Sequence, residues 1–158
     1  MPTVGKYELL DEIGAGGMGK VFKARHTSLD RIAAIKIIRS EYAKRDDVLA
    51  RFRREASVCA NLHHRNVIEL YDYGEEDGVL YYAMEYLDRA CDLDDYLSTN
   101  GPMKLPSLIK AADQLCSAFT HLHDNGVIHR DVKPANIMIS RDGHVTLMDF
   151  GLVHKVEG

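Results

Sequence analysis

A chain of 158 residues and 17.8 kDa is sized for one domain and is short for two. Apolar residues make up 46% and charged residues 28% of it, which excludes a disordered polypeptide. Twenty basic against 24 acidic side chains leave a net charge of -4, so no global basic field is available to recruit nucleic acid. The segment Met1 to Tyr7 has no apolar core of signal-peptide length, and the longest apolar runs, such as Ile32–Ile35 and Val79–Met84, are too short to span a bilayer. Cys59, Cys91 and Cys116 are odd in number and widely spaced, so they read as reduced packing residues, and a cytoplasmic location is expected.

In chain order, residues 7–14 and 20–25 alternate in strand fashion around a glycine cluster, and residues 32–39 form a third β-rich run. From Asp46 to Leu62 the period becomes helical. Val48, Phe52, Cys59 and Leu62 share a face beside Ala56, with Arg51, Arg53 and Arg54 mostly outside. Two strands, Asn66 to Tyr73 and Val79 to Met84, flank a hairpin loop over Gly74–Gly78. A short helix is predicted near Leu93–Leu97. A longer one runs from an N-cap at Ser107 to a stop at Asn125-Gly126, striped by Leu108, Ala112, Leu115, Phe119 and Leu122. Residues 136–140 and 144–148 read as short strands. Strands cluster first and helices later, an α+β arrangement with a boundary near Tyr86–Arg89.

The cluster Gly14-Ala15-Gly16-Gly17-Met18-Gly19-Lys20-Val21 admits three phosphate-binding patterns. A dinucleotide fingerprint must open a helix and find an acid about 20 residues on, but strand continues here and Ala34 stands at that place. A Walker loop needs a hydroxyl after Lys20, and Val21 has none. The third form, G-x-G-x-x-G-x-V between two strands, fits in full, its glycines letting backbone N–H groups approach phosphate oxygens.

Three further motifs follow in order. Ala33-Ala34-Ile35-Lys36 matches V-A-I-K except at its first residue, and Glu55 lies 19 residues later on the predicted helix. His129-Arg130-Asp131-Val132-Lys133-Pro134-Ala135-Asn136 matches H-R-D-x-x-x-x-N, and Asp149-Phe150-Gly151 follows. With these residues the sequence resembles the eukaryotic-type (Hanks-type) protein kinases, and Lys133-Pro134-x-Asn136 resembles the serine/threonine branch. The resemblance runs from about Tyr7 to the end of the sequence and implies a protein-kinase-like bilobal α+β fold. The small lobe, about residues 5–85, would be complete, with an antiparallel sheet and the family's helix C. Residues 86–158 would be the start of a mainly helical large lobe, through the D-F-G segment. Residues 1–158 are thus expected to form a partial kinase domain, with little activity and marginal stability by themselves.

The resemblance also implies the roles of single residues. ATP and Mg²⁺ would be the cofactors and protein serine or threonine hydroxyls the substrates. Lys36, fixed by Glu55, would hold the α- and β-phosphates under Gly14, Gly16 and Gly19. Asp131 would accept the substrate's hydroxyl proton, Lys133 would contact the transferring phosphate, and Asn136 and Asp149 would bind magnesium. Met84 would be the gatekeeper and Glu85 to Leu87 the hinge, with Val21, Ala34 and Met138 sandwiching adenine. Asp92 or Asp95 would meet the ribose, and Cys59, Leu70, His129 and Phe150 would occupy the family's regulatory column. A nucleotide-binding pseudokinase or scaffold is the alternative; the presence of Asp131, Lys133, Asn136 and Asp149 argues against it.

Two patterns stand outside the motifs. His63-His64 and His121-x-His123 lack the cysteine or acid that would complete a metal set and read as capping or packing residues. Residues 69–95 carry ten acids against Arg89 alone, open to reading as a solvated face or as a docking surface for basic peptides.

Overall fold

Alternating apolar residues in the first ninety positions close into a six-stranded antiparallel sheet, ordered β1-β2-β3-β4-β6-β5. Its strands are β1 (Thr3–Val4), β2 (Tyr7–Gly16), β3 (Gly19–His26), β4 (Ile32–Ile38), β5 (Leu70–Glu76) and β6 (Val79–Glu85). The computed structural model describes residues 2–16, 19–38 and 46–148. Helix α1 (Asp46–Cys59) opens with Asp46 and Asp47, acids that suit the positive end of a helix. It buries Phe52, Ala56 and Cys59, the face that the sequence pattern predicts. Leu62 lies beyond its end and is buried in the other part of the chain.

The chain divides into two compact units. The first holds the described residues through Asn61 together with Glu69–Tyr86; the second holds Leu62–Ile68 and the described residues from Leu87 on. Segment 62–68 thus differs from the predicted strand over Asn66–Tyr73, whose strand begins only at Leu70. The reason is polar. Asn66 is 2% exposed, and its amide donates to the Gln114 side chain at 2.9 Å and the Val145 carbonyl at 2.8 Å. Those bonds commit the segment to the second unit. Replacing Asn66 with Leu would take the donor from the buried Val145 carbonyl and one of the two donors from Gln114 Oε1, so a loss of about 1–3 kcal/mol is expected in urea unfolding.

In the first unit the expected five-residue loop is a two-residue turn. Asp77 and Gly78 both have positive φ, 50° and 74°, the type I′ geometry that matches strand twist. On the sheet face opposite Lys36, Tyr7, Leu9, Ala24, Ala33, Ile35, Tyr81 and Ala83 form a core cluster.

The second unit is built from β7 (Cys91–Asp92), α2 (Leu93–Asn100), α3 (Leu105–Asp124), β8 (Ile137–Ile139) and β9 (Val145–Leu147), with the strands ordered β7-β8-β9. Helix α2 runs three residues longer than predicted, to Asn100, with Gly101 at φ 75° as its cap. Helix α3 starts at Leu105, and Ser107 lies inside it instead of capping it; Pro106 occupies the first turn, where a missing N–H costs nothing. Its stripe is also corrected. Ala111, Ala118 and Leu122 are buried, whereas Leu108 is 50% exposed and Ala112 is exposed. No helix among the described residues is long and apolar enough to cross a membrane.

His64 and His121 pack together. His64 Nδ1 accepts the Asn66 backbone N–H at 3.0 Å, its Nε2 pairs with Ser117 Oγ at 3.0 Å, and its ring lies 5.0 Å from that of His121. Burial first, then the His121 and Arg65 charges, lowers the His64 pKa from its ordinary 6.5. The unfolded chain therefore binds more protons at and below that pH, and stability falls as pH drops through this window. Melting temperature is expected to decline from pH 7 to pH 5.5, with a shallower decline in His121→Tyr, which removes one of the two facing charges.

Candidate active site

Strand register lines up the candidate residues of the first unit. Val21 on β3 pairs with Lys36 on β4, which pairs with Tyr82 on β6; one step along, Ala34 pairs with Met84, and Met84 with Leu70 on β5. Paired residues and those two apart share a sheet face, so Val21, Ala34, Lys36, Tyr82, Met84 and Leu70 stand together. Ala34, Tyr82, Met84 and Leu70 are buried, while Val21 and Lys36 are half-buried. Small Ala34 beside large Met84 leaves an apolar surface of the kind a flat ring requires. The Glu85 backbone N–H is already held by the Glu69 carbonyl at 2.9 Å, and Leu87 opens the second unit.

Above this face the glycine hairpin pairs Gly14 with Val21 and Gly16 with Gly19. The two outer glycines differ in need. A Cβ at Gly19 would collide with the backbone carbonyl of Ile37, whereas one at Gly14 would only touch Val21 at 3.8 Å. Gly19 thus serves the close approach of β3 and β4, and Gly14 leaves space above the sheet. Lys20, the Walker candidate, is bound to Glu12 on the surface at 2.8 Å. Gly17 and Met18 lie outside the described residues.

Helix α1 meets the same face through aromatic rings. Phe52 lies 6.3 Å from Tyr82 and 6.2 Å from Tyr73. Glu55 follows Phe52 by three residues, hence on the adjoining face of the helix. Burial and, second, the Glu55 charge push the Cys59 thiol up to about 12, so Cys59 is a neutral packing group. Cys59 and Leu70 are buried in the first unit and His129 in the second.

The second unit groups a further set of candidate residues around Asp131. His129 is 1% exposed; its Nδ1 accepts the Asp131 N–H at 3.2 Å, and its Nε2 faces the Met148 carbonyl. Arg130 takes φ 67°, a left-handed kink that turns the chain between His129 and Asp131. Pro134 opens a 3-10 turn over Pro134–Asn136 that brings Asn136 back toward Asp131. The buried Asn136 amide donates to the Asp131 carbonyl and to Asp131 Oδ2, both at 2.8 Å. Lys133 Nζ sits 3.3 Å from the same Oδ2. Two of the candidate residues, Asn136 and Lys133, thus converge on the carboxylate of a third. Met138 on β8 is half-buried between the buried Ile137 and Ile139, which places it on the opposite face from them.

Asp92 is spoken for. Its carboxylate caps α2 by accepting the Asp95 N–H at 2.8 Å, a structural use that competes with the expected ribose contact. Asp149, Phe150 and Gly151 lie outside the described residues. Two structural features were not legible in the sequence. Tyr82 stands beside Lys36 and carried no motif signal, and the Gln114 amide that braces Asn66, Gly143 and Val145 looks like an ordinary helix-surface residue.

Comparison with known proteins identifies the family and the fold. The family model described as protein kinase domain matches residues 7–158, and the chain belongs to that family. It is 42% identical over 148 residues to the serine/threonine-protein kinase PrkC of Bacillus subtilis, spanning 94% of this chain and 23% of that protein. It is 43% identical over 155 residues to the serine/threonine-protein kinase PknB of Mycobacterium tuberculosis, spanning 96% and 25%. The chain thus spans about a quarter of the length of these relatives. The crystal structure of the Mycobacterium tuberculosis PknI kinase domain aligns with a TM-score of 0.83 at 32% identity, covering 96% of this chain and 61% of that one. The fold is that of the protein kinases.

Proposed function

We propose that the chain carries the nucleotide site and catalytic loop of a serine/threonine protein kinase, which transfers the γ-phosphoryl group of ATP to protein hydroxyls. The observation that carries this reading is the convergence of Asn136 and Lys133 on Asp131. In it Asp131 is oriented by Asn136 and takes the proton of the incoming hydroxyl, so that the attacking oxygen is aligned as it becomes nucleophilic. Lys133 keeps a cation beside the oxygen where negative charge passes in transfer. Lys36, on the face with Val21, Ala34 and Met84, holds the α- and β-phosphates while those apolar residues receive the adenine ring from one side.

The donor set suits magnesium. Because the Asn136 nitrogen is committed to Asp131, its carbonyl oxygen is the end left to face a cation, a hard neutral ligand of the kind magnesium takes. Asp149 would complete the set by resemblance. When bound, magnesium neutralises charge on the β- and γ-phosphates. A cytoplasmic location is part of the proposal, in keeping with ATP as substrate and three free cysteines.

The test is transfer of labelled phosphate from ATP to serine- or threonine-containing protein, by an active protein carrying these residues, with Lys36→Met and Asp131→Asn as controls. Transfer that both controls abolish supports the reading. ATP binding with no transfer would favour the nucleotide-binding scaffold instead.

A further inference from the structure

We infer that Tyr82 is a positioning residue for Lys36, linking the phosphate-holding ammonium to helix α1 through its ring. Lys36 and Tyr82 are direct cross-strand partners on β4 and β6, and the Lys36 ammonium stands over the Tyr82 ring, 5.8 Å from its centroid. That distance lies within the range where a ring quadrupole attracts a cation. The ring cannot swing away, because Tyr82 is 4% exposed and Phe52, itself 1% exposed, packs on it at 6.3 Å with a 38° tilt. Phe52 is pinned in turn edge-on by Tyr73 from β5. Three rings from two strands and one helix therefore form a single packed group, and Lys36 rests on its sheet-side end. Glu55 follows Phe52 on α1, so a shift of the helix that carries Glu55 must also move the ring under Lys36.

An aliphatic residue at position 82 would fill the same space with no π face. Tyr82 therefore gives Lys36 a preferred place before any phosphate arrives, which lowers the cost of ordering a long, flexible side chain at binding. The inference rests on the phosphate-holding role assigned to Lys36 above.

The experiment pairs a nucleotide-free spectrum with ATP titration. In protein carrying ¹³C-labelled lysine, the Lys36 ε-CH2 resonance, assigned by its loss in Lys36→Met, is expected to be shifted upfield by the ring. The shift should persist in Tyr82→Phe and vanish in Tyr82→Leu. The ATP dissociation constant should rise about 2- to 30-fold in Tyr82→Leu, the range that a cation–π contact supports, and stay near the parent's in Tyr82→Phe. In a Lys36→Met background Tyr82→Leu should add nothing. Where Tyr82→Leu loses too much stability, Tyr82→Met carries the same test with a more adaptable side chain. Parent-like affinity in Tyr82→Leu, an unshifted parent resonance, or an equal penalty with and without Lys36 would each overturn the inference. Unchanged ATP affinity in Lys36→Met, with the shifted resonance still present in the parent, would instead remove the phosphate role of Lys36 and the positioning role with it.

Discussion

Lys36→Met is expected to lower phosphoryl transfer by on the order of 10²-fold or more while leaving the fold nearly intact, the scale seen when one preorganised electrostatic donor is removed. Methionine matches the unbranched lysine stem, so the substitution leaves no cavity between β3 and β6 and the rings of Tyr82 and Phe52 keep their packing. What disappears is the cation. The charge on the α- and β-phosphates then has one compensating group fewer, and ATP loses both affinity and alignment. Turnover and ATP titration of parent and variant, together with thermal unfolding, check this. A variant that melts within a few degrees of the parent but transfers phosphate at the parent's rate would remove Lys36 from the mechanism.

The parts of the site that sequence made legible are those fixed by local chemistry. Glycine spacing, a lysine in a β-branched run and the H-R-D-x-x-x-x-N string each demand a particular backbone, and β2, β3, β4 and the turn at Pro134–Asn136 supply it. The face of α1 was equally readable, because Phe52, Ala56 and Cys59 are its apolar residues at helical spacing. Helix α3 was misread for a physical reason. It carries apolar residues on more than one face, so spacing alone admits a stripe through Leu108 and Ala112, whereas the side that packs closely carries the small Ala111 and Ala118 with Leu122. Segment 62–68 was misread because its placement depends on Gln114 and Val145, 48 and 79 residues away from Asn66. The two-residue strands β1 and β7 are too short to show any period. Pairing of Lys36 with Tyr82 was hidden likewise, since cross-strand register between β4 and β6 is a tertiary fact.

Asp131→Asn is expected to separate binding from chemistry. Asparagine keeps one oxygen at the end of the side chain, so the 2.8 Å bond from the Asn136 amide has an acceptor still, and the second bond, to the Asp131 backbone carbonyl, is untouched. The Lys133 contact loses its charge, but Lys133 is about half exposed, and pairs of that kind contribute little to stability. Fold and nucleotide affinity should therefore stay near the parent's. The group that takes the hydroxyl proton is gone, however, since an amide is not a base at neutral pH, and turnover is expected to fall about 10²- to 10⁴-fold. Asp149→Asn should behave differently, because there the lost carboxylate is the expected magnesium ligand. Its ATP affinity should become less dependent on magnesium, alongside any loss of rate. Calorimetric titration of ATP with and without magnesium, set beside single-turnover transfer, distinguishes the two. If Asp131→Asn transferred phosphate at the parent's rate, the carboxylate on which Asn136 and Lys133 converge would have no part in accepting the proton. If Asp149→Asn bound ATP with the parent's magnesium dependence, the metal would have to be held elsewhere.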